Sequence, residues 1–245
     1  MANSLLERLH GLLDELKMTE ADALLEAHLQ RASQADRPYA DFLLDLLEAE
    51  ARARQEERFR QALKRSRLPV LKTLEQFDFA FQPSIDQSQV RELRTLRFVH
   101  EAGNIVLLGP PGVGKTHLAI SLGVLVAELG HRVYFTTAIE MARKLAQAMA
   151  ENRLARELKN LTRPKLLIID EVGYLQLDQP QASLVFQVVS QRYERQGALI
   201  LTSNKAFSAW GEVFAGDAVM ASAALDRLLH RCTVMSINIS SNPFY

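Results

Sequence analysis

A single cysteine, Cys232, stands in a chain of 245 residues, which rules out an intramolecular disulfide and leaves no Cys/His cluster with metal spacing. The six histidines are scattered along the chain. No apolar run reaches the roughly eighteen residues of a membrane-spanning helix, and the opening residues lack the basic-then-apolar order of a secretion signal. The expectation is a cytoplasmic protein with no membrane partner. Glycine and proline are sparse, at 11 and 8 residues, beside 48% apolar content; that balance suits an ordered chain and excludes a disordered one. The length accommodates one sizeable α/β domain plus something small.

Net charge is missing as well, with 29 basic residues against 29 acidic ones, but the cancellation is not uniform. Residues 1–50 hold eleven acids and four bases, a net of −7, whereas residues 52–67 hold seven bases (Arg52, Arg54, Arg58, Arg60, Lys64, Arg65, Arg67) and two acids, a net of +5. Such polarity marks a partner-binding arm, a nucleic-acid contact or a solvated helix face.

The most informative stretch is Gly109-Pro110-Pro111-Gly112-Val113-Gly114-Lys115-Thr116, which fits G-x-x-x-x-G-K-[ST]. Residues 104–108 (N-I-V-L-L) before it read as a buried strand, and residues 117–129 after it as a helix, the context this motif needs. Glycines let successive backbone N–H groups face phosphate oxygens, and the helix adds its unpaired amides and positive dipole end. Lys115 would reach the β- and γ-phosphates, and Thr116 would offer its hydroxyl to Mg²⁺. With His117 and Asp170, residues 109–116 make up the expected ATP-binding set.

Residues 1–67 read as an all-helical N-terminal domain that contacts DNA or a partner, and residues 68–245 as the ATPase domain. Leu5, Leu6, Leu9, Leu12, Leu13 and Leu16 form a stripe; Thr19-Glu20-Ala21-Asp22 opens a second helix; a third runs from about Tyr39 to residue 67 with its basic half projecting. Val90 to Ala102 reads as one helix. Phe77, Phe79 and Phe81 either wall an adenine pocket or pack between domains. Four more strands are expected at 131–136, 165–170, 198–204 and 233–239, with helices at 138–162, 182–196 and 218–230 between them. This alternation implies a five-stranded parallel sheet with both faces covered, and ligands at the carboxyl ends of its strands.

The third strand ends in Asp170-Glu171. An Asp there can hold Mg²⁺ through water, and the adjacent Glu can polarise the water that attacks the γ-phosphate. A kinase has no need of that Glu, so its presence argues for hydrolysis. The fourth strand ends in Thr202-Ser203-Asn204, where Asn204 is placed to read the γ-phosphate or position the water.

Taken together, Gly-Pro-Pro-Gly-Val-Gly-Lys-Thr-His-Leu-Ala, Leu-Leu-Ile-Ile-Asp-Glu-Val-Gly-Tyr, Arg192-Tyr193-Glu194, Leu201 to Asn204, Trp210, residues 225–230 and the Lys72 to Phe79 stretch resemble the IstB-like ATPases, transposition helpers of bacterial insertion sequences. The resemblance implies an AAA+ ATPase of the initiator clade, related to DnaC-type helicase loaders and DnaA. Its members assemble as rings or spirals on double-stranded DNA with ATP between neighbours, and the implied partner is the transposase of the same element. It assigns Arg227 as an arginine finger and implies an inserted helix between the second and third strands. Around that place, residues 143–165 carry a net of +5, and Arg143, Lys144, Arg153, Arg156 and Lys159 are the expected phosphate contacts on DNA. The family's closing Gly-x-Ser-Tyr-Arg-like segment, whose Arg is a second sensor, is replaced here by residues 240–245 (S-S-N-P-F-Y). Two other readings remain open at this point, a helicase loader and a nucleotide-gated DNA scaffold with little turnover.

Overall fold

A computed structural model describes residues 2–34 and 37–238. Its contacts divide the chain into Met1–Arg60 and Gln61–Tyr245. Among the described residues no helix is long and apolar enough to cross a membrane.

The first unit is built from α1 (Ala2–Glu15), α2 (Thr19–Gln34) and the larger part of α3 (Tyr39–Ser66). Its small core holds Ala21, Leu25 and Leu46, with Leu6, Leu9, Leu13, Met18, Leu24 and Phe42 packed around them. The expected single stripe on α1 is therefore split: Leu5, Leu12 and Leu16 are more than half exposed. A three-helix core this small covers only part of a leucine face as broad as this one. One ion pair on α3 secures both ends of the α1–α2 turn. Glu50, 5% exposed, accepts hydrogen bonds from the Glu20 and Ala21 amides at 2.9 and 3.1 Å, and from Arg54 Nε at 2.6 Å. Arg54 Nη2 in turn donates to the Leu16 and Lys17 carbonyls at 3.2 and 2.9 Å. The carboxylate thus meets the amides that open α2, and the guanidinium meets carbonyls that close α1, each complementing the local helix dipole.

The second unit begins within α3, where Ala62 and Ser66 are buried and the Arg67 guanidinium lies 5.1 Å from the Tyr134 ring centroid. The last turns of that helix, expected to project, thus belong to the second unit and are packed within it. The next helix, expected to be single, is two, α4 (Gln87–Arg94) and α5 (Arg97–His100), separated where Leu96 takes a φ of 58°. The strands are β1 (Asn104–Leu108), β2 (Val133–Thr137), β3 (Leu166–Val172), β4 (Ala198–Ser203) and β5 (Cys232–Ser236). All pair in parallel in the order β2-β3-β4-β1-β5.

Helix α6 (Lys115–Glu128) follows β1 and packs on one face of the sheet, against β2, β3 and β4. On the other face a continuous core joins β1 to β4 with α7 (Ala138–Ala150), α8 (Leu154–Thr162), α9 (Gln179–Glu194), the short α10 (Trp210–Val213) and α11 (Ala218–Leu229). The helix expected over 138–162 is broken: the Asn152 and Arg153 amides donate back to the Met149 and Ala148 carbonyls, and Asn152 takes a φ of 55°. This is a Schellman ending with Asn in the left-handed position, a residue that tolerates it. Arg192 of α9 is wholly buried and donates to the carbonyls of Thr162, Pro164, Lys165 and Ala198. Burial alone lowers its pKa to about 10. It ties the end of α8 to the starts of β3 and β4, and a Cβ on Gly197 would lie 2.5 Å from its Cζ. The fifth strand closes at Ser236; the expected strand residue Ile239 and the tail 240–245 lie outside the described residues.

Although burial pushes the Glu50 carboxyl upward, the Ala21 amide, Arg54 and the Glu20 amide together bring it below the ordinary glutamate range. A lowered native pKa contributes stability above the unfolded value, and that contribution disappears as pH falls through the native value. Glu50→Gln is expected to weaken amide-exchange protection at the α2 N-terminus at about pH 7, by the roughly 1.5–3 kcal/mol of a charged hydrogen bond. The gap from wild type should close as the pH is lowered through the carboxylate range.

Candidate nucleotide site

The loop after β1 carries the site. Gly109 has a φ of 152°, and a Cβ there would lie 2.1 Å from the Ile237 carbonyl oxygen; Gly114 has a φ of 90°, and a Cβ would lie 2.7 Å from the Phe77 ring. Both positions therefore demand glycine, for backbone conformation and for space. Gly114 is also the residue from which α6 begins, so the loop's concave side meets the unpaired amides of a fourteen-residue helix. Lys115 Nζ donates to the Gly109 and Pro110 carbonyls at 2.7 and 2.6 Å. Partial burial lowers its pKa, while the Asp170 charge works against that shift.

Across from the loop, Asp170 is 4% exposed. Thr116 Oγ1 lies 3.0 Å from both of its carboxylate oxygens, and the Thr202 hydroxyl donates to Oδ1. A hydroxyl beside one carboxylate is the hard oxygen set that Mg²⁺ takes from protein when phosphates and water complete its octahedron. The residues present therefore fit a magnesium nucleotide.

The neighbouring Glu171 reaches the same cleft through an irregularity in the sheet. Ile169 is registered with Leu201 and Val172 with Ser203, so Asp170 and Glu171 together oppose Thr202. This is a β-bulge. Leu167 and Ile169 point into the core under α7 and α9, and it is Val172, not Glu171, that next joins them. Strict alternation would have placed Glu171 in that apolar core. Asp170 keeps the α6 face that alternation gives it, and the extra residue puts Glu171 in the cleft instead. Glu171 takes a φ of 59°, a left-handed conformation costing a non-glycine residue roughly 1–2 kcal/mol. The turn continues through Gly173, and the Tyr174 amide donates to the Glu171 carbonyl at 3.2 Å.

The cleft encloses about 440 Å³, lined by Pro111, Gly112, Lys115, Thr116, Glu171 and Asn204 among others. Asn204 follows β4, whose last residue is anchored: Ser203 Oγ donates to the Val172 carbonyl at 2.6 Å and accepts from the Lys205 amide at 3.0 Å. His117 also lines the cleft; its Nε2 lies 3.0 Å from the Thr73 carbonyl oxygen and its ring is edge-on to Phe77, 5.0 Å between centroids. Phe77 and Phe79 line a separate groove of about 290 Å³ with Leu74 and Val90; Phe81 is 64% exposed.

Four residues not assigned from sequence also line the cleft: Lys72, Tyr174, Thr202 and Ser203. A hydroxyl residue directly after the apolar run 198–201 was a local signal for Thr202. Lys72 opens the Lys72 to Phe79 stretch that carries the resemblance, but nothing local tied it to a loop far downstream.

Arg227 is not brought to the cleft. It lines another cavity, of about 260 Å³, with Arg192, Tyr193 and His230. Its guanidinium sits 5.0 Å from the Phe186 ring centroid and donates to the Ala223 carbonyl at 2.8 Å. That cavity also includes Asn104, at the start of β1, whereas the phosphate loop leaves the strand's other end. Of the five basic residues expected at DNA, Arg143, Arg153, Arg156 and Lys159 are exposed. Lys144 is paired with Glu140 and Arg153 with Glu151. On α8, Arg156 and Lys159 lie one turn apart, opposite the Leu158 and Leu161 side that enters the core.

Comparison with known proteins agrees with this architecture. The IstB-like ATP binding protein family model matches residues 11–243. The insertion sequence IS21 ATP-binding protein of Pseudomonas aeruginosa is 47% identical over 232 residues, 95% of this chain and 87% of the relative. Its counterpart in insertion sequence IS5376 of Geobacillus stearothermophilus is 43% identical over 231 residues, 94% and 91% of the respective chains. Among solved structures, the DnaC helicase loader superposes with a TM-score of 0.51 at 26% identity, covering 62% of this chain and 92% of its own. With an AAA+ type sheet and a family match over nearly its whole length, this chain belongs to the IstB-like ATP-binding proteins of insertion sequences.

Proposed function

We propose that the protein is an ATP-dependent helper that oligomerises on double-stranded DNA, hydrolyses ATP and thereby regulates the transposase of its own element in the cytoplasm. The observation that carries this reading is the convergence of Lys115, Thr116, Glu171 and Asn204 on one cleft, with the buried Asp170 bonded to Thr116. Lys115 and the loop amides bind the β- and γ-phosphates, and Thr116 and Asp170 would hold Mg²⁺. Bound Mg²⁺ supplies charge neutralisation between the phosphates. Glu171 accepts a proton from the attacking water, and Asn204 orients that water against the γ-phosphate.

Arg227 fits a finger acting on a neighbour's nucleotide, because within its own chain it lies away from the cleft. A ring or spiral in which each subunit completes the next site follows from that role. Residues 1–67 serve as the partner- or DNA-binding region. Relatives from insertion sequences match this chain almost end to end, whereas the helicase loader matches a smaller share of it; this favours the transposition reading over helicase loading.

Lys115→Ala is expected to lose tight ATP binding, whereas Glu171→Gln should bind ATP normally and hydrolyse it poorly. Calorimetric binding and phosphate release measure the two effects; normal turnover by Glu171→Gln would remove the water-activating role. Arg227→Ala should fold and bind ATP while losing hydrolysis, by up to the 10³–10⁵ range of arginine fingers. Mixed with Glu171→Gln subunits it should regain activity, since an intact Glu171 can then face an intact Arg227. Co-assembled mixtures that stay inactive would argue against action in trans.

Duplex binding should weaken with salt at a slope near −0.9 per phosphate contact. Replacing Arg156 and Lys159 together is expected to flatten that slope by about 1.8 and to do so equally on unrelated sequences. Replacing the internally paired Lys144 and Arg153 should change it less. A slope unaltered by the Arg156 and Lys159 changes would make α8 a solvated face.

A further inference from the structure

We propose that Thr202 is a positioning residue for hydrolysis, its hydroxyl holding the bulge that delivers Glu171 to the nucleotide cleft. The inference rests on the reading of Glu171 as the water-activating carboxylate, and it adds a residue on a different strand to that machinery.

The argument begins with the ladder. Where two residues of β3 oppose one of β4, a main-chain amide loses its regular partner. That amide belongs to Glu171, and it donates instead to Thr202 Oγ1 at 3.0 Å. The same hydroxyl donates its own hydrogen to Asp170 Oδ1. One side-chain oxygen therefore replaces a missing ladder acceptor and also satisfies a buried carboxylate. Thr202 itself is 1% exposed, so water does not readily substitute in either bond.

Only a hydroxyl meets both demands. Valine would match the shape and β-branched stiffness of threonine but would neither donate nor accept. With that support gone, the left-handed conformation of Glu171 would keep only the turn bond from Tyr174. The strand could then relax toward regular alternation, which carries Glu171 toward the α7–α9 face and away from the cleft. Thr202 also joins the two carboxylate residues through a single oxygen: one of its bonds goes to the side chain that faces Mg²⁺, the other to the backbone of the residue that faces water.

The test compares Thr202→Val with Thr202→Ser, alongside wild type and Glu171→Gln, all as full-length protein. Three quantities are read: steady-state ATP hydrolysis, affinity for ADP without magnesium, and amide exchange across residues 169–174 without nucleotide. Thr202→Val should lose about 10²-fold in kcat, the scale of a misplaced catalytic group, with ADP affinity unchanged and faster exchange in that segment. Thr202→Ser should stay near wild type in all three. Wild-type kcat and exchange in Thr202→Val would overturn the proposal, as would equal damage from Thr202→Ser, which would assign the position to methyl packing. If circular dichroism finds Thr202→Val unfolded, Thr202→Ala against Thr202→Ser carries the same comparison. Should Glu171→Gln turn over normally, the water-activating reading falls by itself, and the exchange data then decide whether Thr202 holds the bulge.

Discussion

A carboxylate buried at the carboxyl end of a central strand sets the terms for the rest of the second unit. Asp170 lies almost out of solvent, where an ionised group is tolerable only with hydrogen-bond partners. Its partners come from two other elements, Thr116 at the start of α6 and Thr202 on β4. Thr116 can reach it only if α6 begins where the glycine loop turns, and Thr202 can reach it only if β4 lies beside β3 in the sheet. One satisfied charge thus depends on the loop, the helix and the strand order together.

The same neighbourhood contains the main departure from regular structure. A bulge in a parallel ladder disrupts pairing, and a left-handed glutamate adds strain. Both are confined to the two residues that must address one cleft from adjacent positions on a strand. A regular strand cannot do this, because neighbouring side chains leave on opposite faces. The irregularity brings Glu171 into the cleft beside a strand position from which Asp170 meets Thr116.

Elsewhere the fold deals with exposed backbone groups by similar means. In the first unit, Glu50 and Arg54, one turn apart on α3, satisfy amides that open one helix and carbonyls that close another. In the second, Arg192 gathers four carbonyls where α8, β3 and β4 come together. Its prominence in the Arg-Tyr-Glu stretch is thereby accounted for by architecture: the residue anchors the basic α8 to the sheet and does not enter the nucleotide cleft.

Much of the candidate site was legible in the residues alone. The glycine loop, Lys115 and Thr116 are contiguous, and their geometry follows from local backbone freedom and the helix that succeeds them. Asp170, Glu171 and Asn204 announced themselves as polar residues ending apolar strands, which locates them at one edge of any parallel sheet. The five strands were visible for the same reason: each is a short apolar run between helices. What could not be read locally depends on partners distant in sequence. The Thr202 bond to Glu171 spans 31 positions, and the His117 bond to Thr73 spans 44. The inward and outward division of the α1 leucines depends on how much core three short helices can offer. Likewise, Arg227 sits apart from the cleft because α11 returns the chain to the start of β5. Local chemistry determined which groups this protein carries; the tertiary packing decided which of them meet, because register and strand order are set by burial over the whole sheet.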